Sequence, residues 1–179
     1  GVDSQCGLLG LGLNKPGQVG AVLGWSGSVQ MLAGSPSLDP GQQRTWSNCY
    51  PVGSGYTVEA NLGDIGHSYH WLTRTLSGGK LSYSEADQLA EQASPGGEGV
   101  FSFLGAGPLS AHRAGLRMGG IIMPTPLTFQ ETTPSQILRS YLESVAYSIK
   151  ANVETVSEIA ALNPTRFSLA GGMARSDVL

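Results

Sequence analysis

Residues 167–176 read FSLAGGMARS: a short apolar strand, a Gly-Gly turn, and then the start of what reads as a helix. A strand that turns directly into a helix places helix-start amides at the carboxyl end of a sheet, where an anionic ligand can meet them. Ser176 lies four residues after Gly172, so the two can face one ligand. Gly171-Gly172 also has a plainer use, which is to let a strand and a helix pack closely.

Upstream of this turn lies the strongest helix signal in the chain. Leu138, Leu142, Val145, Ile149, Val153, Val156 and Ala160 recur at three- and four-residue steps and predict one helix over 133–162. Thr133 is its expected N-cap, Pro134 takes the first helical position, and Gln136 completes a capping box. Asn163-Pro164 ends it. Earlier segments alternate in type. A short helix over 3–13 is expected to be capped by Asp3. Strands are expected at 18–23 and 28–32 around a hairpin tip, and at 45–52 and 56–60. Helices follow over 64–76 and 84–93, the second capped by Ser84, with a strand at 100–104. The order implies a mixed α/β domain, a mixed sheet flanked by helices. Because the chain ends within the helix expected after Gly172, it reads as a domain incomplete at both ends.

Composition narrows the function classes. Ten Lys and Arg against thirteen Asp and Glu give a net charge of −3, with no basic stripe for nucleic acid. The apolar runs are too short to span a bilayer. Twenty-six Gly and ten Pro signal many tight turns rather than a helical bundle. Cys6 and Cys49 follow no disulfide or metal spacing, which is consistent with a reducing cytoplasm. The apolar face of 133–162 can be wholly used by the core, so a homodimer is left open.

Three other features could carry chemistry. Gly24-Trp25-Ser26-Gly27 at the first hairpin tip would let backbone amides approach a phosphate, although hairpin tips are glycine-rich for conformational reasons too. Gly63-Asp64-Ile65-Gly66 leads into a helix carrying His67 and His70; with no third ligand nearby, these read as surface or packed histidines rather than metal ligands. Asp3 is either a general base or only a helix cap.

Taken in order, these segments resemble the C-terminal domain of the FGGY carbohydrate kinases, the group of glycerol kinase, xylulokinase and the autoinducer kinase. Asp3-Ser4-Gln5-Cys6-Gly7-Leu8-Leu9-Gly10 is similar to the family's G-D-x-Q-x-x-x-x-G segment. Gly24–Gly27 stand where the family has a G-T-S/T-G phosphate loop. Gly66, His70 and Trp71 match a Gly-x-x-x-Gln-Trp stretch, Arg139, Glu143 and Ala146 fall in step with the long helix L-x-R-A-x-x-E-G-x-A, and residues 169–176 are similar to L-T-G-G-G-A-R-S.

The resemblance implies an actin-like ATPase (ribonuclease H-like) fold over 1–179 and ATP- and Mg²⁺-dependent phosphorylation of a small sugar or polyol. It implies Asp3 as catalytic base, with Asp3 and Ser4 at the substrate. Gly24, Ser26, Gly27, Gly66, His70, Gly171, Gly172 and Ser176 would bind nucleotide. Two departures stand out. Trp25 replaces the loop threonine and offers no hydroxyl, a contact that Ser26 could supply. Gly105-Ala106-Gly107 stands near the place of an S-G-E-R motif, which is absent. The altered loop is closest to that of the autoinducer kinase branch. It also admits a weakly active, regulatory nucleotide- or sugar-binding protein, while the order of Asp3 and the phosphate loop speaks against a chaperone-type ATPase.

Overall fold

The computed structural model describes residues 2–108 and 118–179. Its main sheet holds five strands in the order β3-β4-β2-β1-β7. These are β1 (Gln18–Leu23), β2 (Gly27–Ala33), β3 (Trp46–Cys49), β4 (Tyr56–Gly63) and β7 (Arg166–Ala170). The first four pair antiparallel, and β7 joins β1 in parallel, with Val22 opposite Ala170 at the last register pair. The sheet is therefore mixed, as expected, and β2 at its centre is buried along its whole length.

Strand alternation divides the sheet into two faces. Val19, Ala21, Val29, Met31, Val58 and Ala60 point to one side, where Leu138, Tyr141, Leu142 and Val145 of α4 (Pro134–Ala160) complete the main core. The other face carries α1 (Asp3–Gly10), where Leu8 and Leu13 meet Leu32 and Tyr50 in a smaller cluster. Close approach is what Gly20 supplies here: a Cβ on it would lie 2.8 Å from a methyl of Leu13 and closer still to Leu8. Helices α2 (Ile65–Ser77) and α3 (Tyr83–Glu91) flank the α4 side. A two-stranded ribbon, β5 (Phe101–Ser102) with β6 (Ile121–Ile122), forms a second sheet that packs against α4.

The capping predictions split. Thr133 caps α4, with Pro134 at its start and Gln136 Oε1 accepting from the Thr133 amide at 2.8 Å. Asp3 does not cap α1. Val2 holds that position, and Gln5 Oε1 accepts from its amide at 3.3 Å. Asp3 sits one residue inside, where its carboxylate accepts from the Ser4 amide and still favours the positive end of the helix. Likewise Ser82, not Ser84, caps α3, because Glu85 lies at the right distance to reach back to the Ser82 amide at 2.8 Å. The strand expected at 100–104 shortens to Phe101–Ser102. The helix expected after Gly172 is a single 3₁₀ turn, Met173–Arg175. No described helix is long and apolar enough to cross a membrane. Both cysteines are unpaired and exposed.

Helix α4 ends on Ala161, whose φ of 52° and ψ of 40° lie in the left-handed region. A Cβ makes that conformation costly, and Ala161 is exposed, so Ala161→Gly leaves no cavity. We expect Ala161→Gly to stabilise the chain by about 0.5–1 kcal/mol, a rise of a few degrees in a thermal melt. An unchanged or lower melting temperature would show that this strain is not present.

Candidate functional site

Four segments that are distant in sequence converge on one cleft of about 680 Å³. They are the β1–β2 hairpin tip, the N-terminal part of α2, one face of α3, and the turn after β7, with Leu142 of α4 also on the lining. Of the residues proposed for nucleotide, Gly24, Gly66, Gly172 and Ser176 line it, together with Trp25. A volume of this size lies within the usual range for small-molecule sites.

The other predicted residues act around the cleft rather than in it. Gly27 is buried, and a Cβ there would meet Leu62 at 2.6 Å and Ile65 at 2.7 Å, so its glycine serves core packing. Ser26 closes the turn through its carbonyl, which accepts from the Gly24 amide at 2.9 Å. Gly171, with φ 101°, lets the turn pass directly over Leu23. His70 stands behind the wall: its Nδ1 shares a hydrogen bond of 2.7 Å with the Tyr83 hydroxyl, and its ring meets Trp25 edge-on at 5.5 Å.

Trp25 determines the shape of the hairpin tip. Its indole is exposed and stacks on His67 at 4.5 Å. Its carbonyl accepts from the amides of Gly66 at 2.9 Å and His67 at 3.2 Å. Two of the first amides of α2 are thereby satisfied by the hairpin instead of pointing at a ligand. Gly66 makes this docking feasible, since a Cβ on it would lie 2.8 Å from Trp25 Cα and still nearer the Gly24 carbonyl.

The wall from α3 was not foreseen. Tyr83, Ser84, Asp87, Gln88 and Glu91 line the cleft. Their spacing puts them on one face of a 3.6-residue helix, with Ala86 and Ala90 turned to the core. That polar stripe was the available signal, obscured once the cap was placed at Ser84. Asp87 accepts from the Tyr69 hydroxyl at 2.7 Å. Burial first, and the Asp87 carboxylate second, push the Tyr69 phenol far above its ordinary range, so it stays a neutral donor. Tyr69 is itself held between Tyr83 at 5.9 Å and Tyr141 at 5.8 Å, both rings stacked on it. Arg175 brings a positive charge to a cleft otherwise bordered by Asp87, Glu91 and Asp177.

Asp3 and Ser4 lie outside this cleft, in the first turn of α1. The hairpin links the two places. Gly24 lines the cleft, while Val22, just before the tip, packs against α1, a Cβ on Gly7 falling 2.9 Å from its methyl. Among the described residues, no group of three His, Cys, Asp or Glu side chains could hold a metal.

The fold is shared with solved xylulose and glycerol kinases. The chain superimposes on xylulose kinase from Rhodospirillum rubrum with a TM-score of 0.81 at 22% identity, over 99% of this chain and 35% of that one. It superimposes on Plasmodium falciparum glycerol kinase with ADP with a TM-score of 0.78 at 19% identity, over 98% of this chain and 35% of that one. In sequence it is 25% identical over 138 residues to the Bacillus subtilis (strain 168) protein described as "Putative sugar kinase YoaC", covering 77% of this chain and 28% of that protein. No family model matches the chain. The chain thus shares the fold of xylulose, glycerol and gluconate kinases, as the FGGY resemblance implied, and spans about a third of their length.

Proposed function

We propose that this chain is the C-terminal, actin-like nucleotide-binding domain of a carbohydrate kinase, and that the whole protein phosphorylates a small sugar or polyol with ATP. One observation carries the reading: the β1–β2 hairpin bears a nucleotide-sized cleft at its Gly24 tip and, at Val22 just before it, packs against α1, the helix of Asp3, where a Cβ on Gly7 would lie 2.9 Å from a Val22 methyl. A phosphoryl donor and an acceptor must meet in line, and catalysis of this kind rests mainly on positioning and charge stabilisation.

In this reading the nucleoside occupies the cleft between α3 and the Gly172–Ser176 turn, and the phosphates run past Gly24 towards the tip. Tyr69 and Tyr83 give the cleft a rigid aromatic wall. Asp3 accepts the proton of the attacking hydroxyl, with Ser4 beside it. Mg²⁺ would accompany the nucleotide and neutralise its phosphate oxygens. The reading carries with it a cytoplasmic setting, where ATP and free sugars meet.

The test is ADP release by the full-length protein against a panel of polyols and ketoses, alongside nucleotide binding measured by calorimetric titration of ATP. Turnover with at least one acceptor is expected. The indole at Trp25, in place of a hydroxyl, favours one second reading. Should ATP bind while no acceptor on the panel yields ADP, the protein is a nucleotide-binding regulator instead.

A further inference from the structure

Tyr50, Tyr69 and Tyr141 are buried, and two of the three end on backbone. Tyr141 donates to the Ile65 carbonyl at 2.6 Å, and Tyr50 to the Leu13 carbonyl at 2.8 Å. Tyr69 differs: its hydroxyl donates at 2.7 Å to Oδ1 of Asp87, a side chain on the wall of the cleft. A buried phenol needs one acceptor, and a carbonyl serves without bringing a charge. The carboxylate at this place is more than Tyr69 requires.

Asp87 has more to accept. A carboxylate offers about four lone-pair sites. Among the described residues its Oδ2 receives no hydrogen bond, and the half-buried side chain makes no ion pair. What it faces follows from its position along the two helices. The Gly66 amide is bonded to the hairpin tip, and Tyr69 lies three residues further along α2, a rise of about 4.5 Å. Helix α3 starts at the same end, since Tyr83 is hydrogen-bonded to His70, whose ring meets Trp25. Asp87 follows four residues later, about 6 Å beyond, and Glu91 about 6 Å beyond that. With the phosphates at the tip, the ribose is the part of the nucleotide that lies one helical turn along. An anionic oxygen repels a phosphate there, whereas a sugar hydroxyl is a donor that it can take up.

We propose that Asp87, held in place by Tyr69, accepts a hydrogen bond from a ribose hydroxyl of the bound nucleotide and so selects ribonucleotides over their deoxy forms. The proposal rests on the reading of this cleft as a nucleotide site and adds to it the group that reads the sugar. Tyr69 is the positioning residue. Its ring is stacked between Tyr83 and Tyr141 and cannot swing, and its donated bond occupies Oδ1 and leaves Oδ2 for the ligand.

The experiment is calorimetric titration of ADP, 2′-deoxy-ADP and 3′-deoxy-ADP into the full-length protein and its Asp87→Ala, Asp87→Asn and Tyr69→Phe variants. Wild type should bind ADP about tenfold or more tightly than at least one deoxy nucleotide, the usual worth of a hydrogen bond to a charged acceptor. In Asp87→Ala that ratio should fall to about one. Asp87→Asn keeps an acceptor for Tyr69 and a neutral hydrogen bond to the sugar, so its ratio should fall to a few-fold. Tyr69→Phe keeps the stacked ring but frees Asp87, and should lower the ratio about threefold. A purely structural role would weaken all three nucleotides alike, so an unmoved ratio in Tyr69→Phe refutes its positioning role. Equal wild-type affinity for the three nucleotides overturns the proposal. So does a wild-type ratio retained in Asp87→Ala or, should that variant not fold, in Asp87→Asn. A wild-type protein that binds none of the three overturns the nucleotide reading itself, a result separable from the others.

Discussion

Asp3→Asn in the full-length protein should lower kcat by about 10²–10⁴-fold, the usual contribution of a general base, and leave nucleotide binding intact. The separation is geometric. Asp3 is exposed in the first turn of α1, while the cleft is lined by the hairpin tip, α2, α3 and the turn after β7. Its carboxylate makes one local hydrogen bond, to the Ser4 amide at 2.8 Å, and asparagine can make the same one. Stability should fall by no more than about 0.3–1 kcal/mol, the loss of a negative charge at a helix N-terminus. Rates of ADP release, with ADP titrated calorimetrically into both proteins, measure the two effects separately. If Asp3→Asn retains activity within a few-fold of wild type, Asp3 is not the base and the motif reading of residues 3–10 fails.

Much of this arrangement was legible in the sequence, and the reasons differ by segment. Helix α4 announced itself because a 27-residue amphipathic stripe with a Thr-Pro-x-Gln start leaves few alternatives. Strands β1, β2 and β7 stood out because glycine-rich turns bounded short β-branched and apolar runs. The caps at Asp3 and Ser84 were misplaced by one and two residues: at α3 two serines compete for the start, and at α1 the helix begins on Val2, which has no capping side chain and is served by Gln5 instead. At α3 a cap at Ser84 leaves Tyr83 and Ser84 outside the helix, so the face that they share with Asp87, Gln88 and Glu91 is incomplete. The pairing of Tyr69 with Asp87 was invisible for another reason. The two lie 18 residues apart and meet only through the tertiary fold, and nothing local tells a polar residue on a cleft wall from one in solvent.

The roles of the glycines were also divided by tertiary contact. Gly24 and Gly172 open onto the cleft, Gly66 both lines it and makes room for the hairpin backbone, and Gly27 and Gly171 are places where another segment occupies the space of a side chain. Motif matching grouped all five as ligand contacts. Packing shows that part of such a motif can hold two backbones together so that its remainder is presented correctly.

Gly171→Ala and Gly172→Ala should therefore behave oppositely, although they are adjacent. Gly171 has φ 101°, and a Cβ there would lie 2.6 Å from the Leu23 carbonyl carbon and 2.8 Å from its nitrogen, with the carbonyl oxygen nearer still. Neither side can easily yield, because β1 and β7 are locked in parallel register as far as Val22 and Ala170. The alanine must lift the turn off β1 or distort the last strand pair. Forbidden dihedral and backbone clash together should cost about 3 kcal/mol or more. In a domain of this size that lowers the melting temperature by roughly 6–12 °C. Gly172 has φ −63° and ψ −43°, and nothing lies within 4 Å of a Cβ built on it. Gly172→Ala should fold at least as stably as wild type, since alanine restricts the unfolded chain without strain. Its methyl would nevertheless project where the cleft is lined, so nucleotide binding should weaken in a protein whose melting curve is unaltered. Thermal melts with and without ADP distinguish the two. A Gly171→Ala protein that melts with wild type would mean that β7 and β1 do not approach as described. A Gly172→Ala protein with full ADP affinity would move the nucleotide away from this turn.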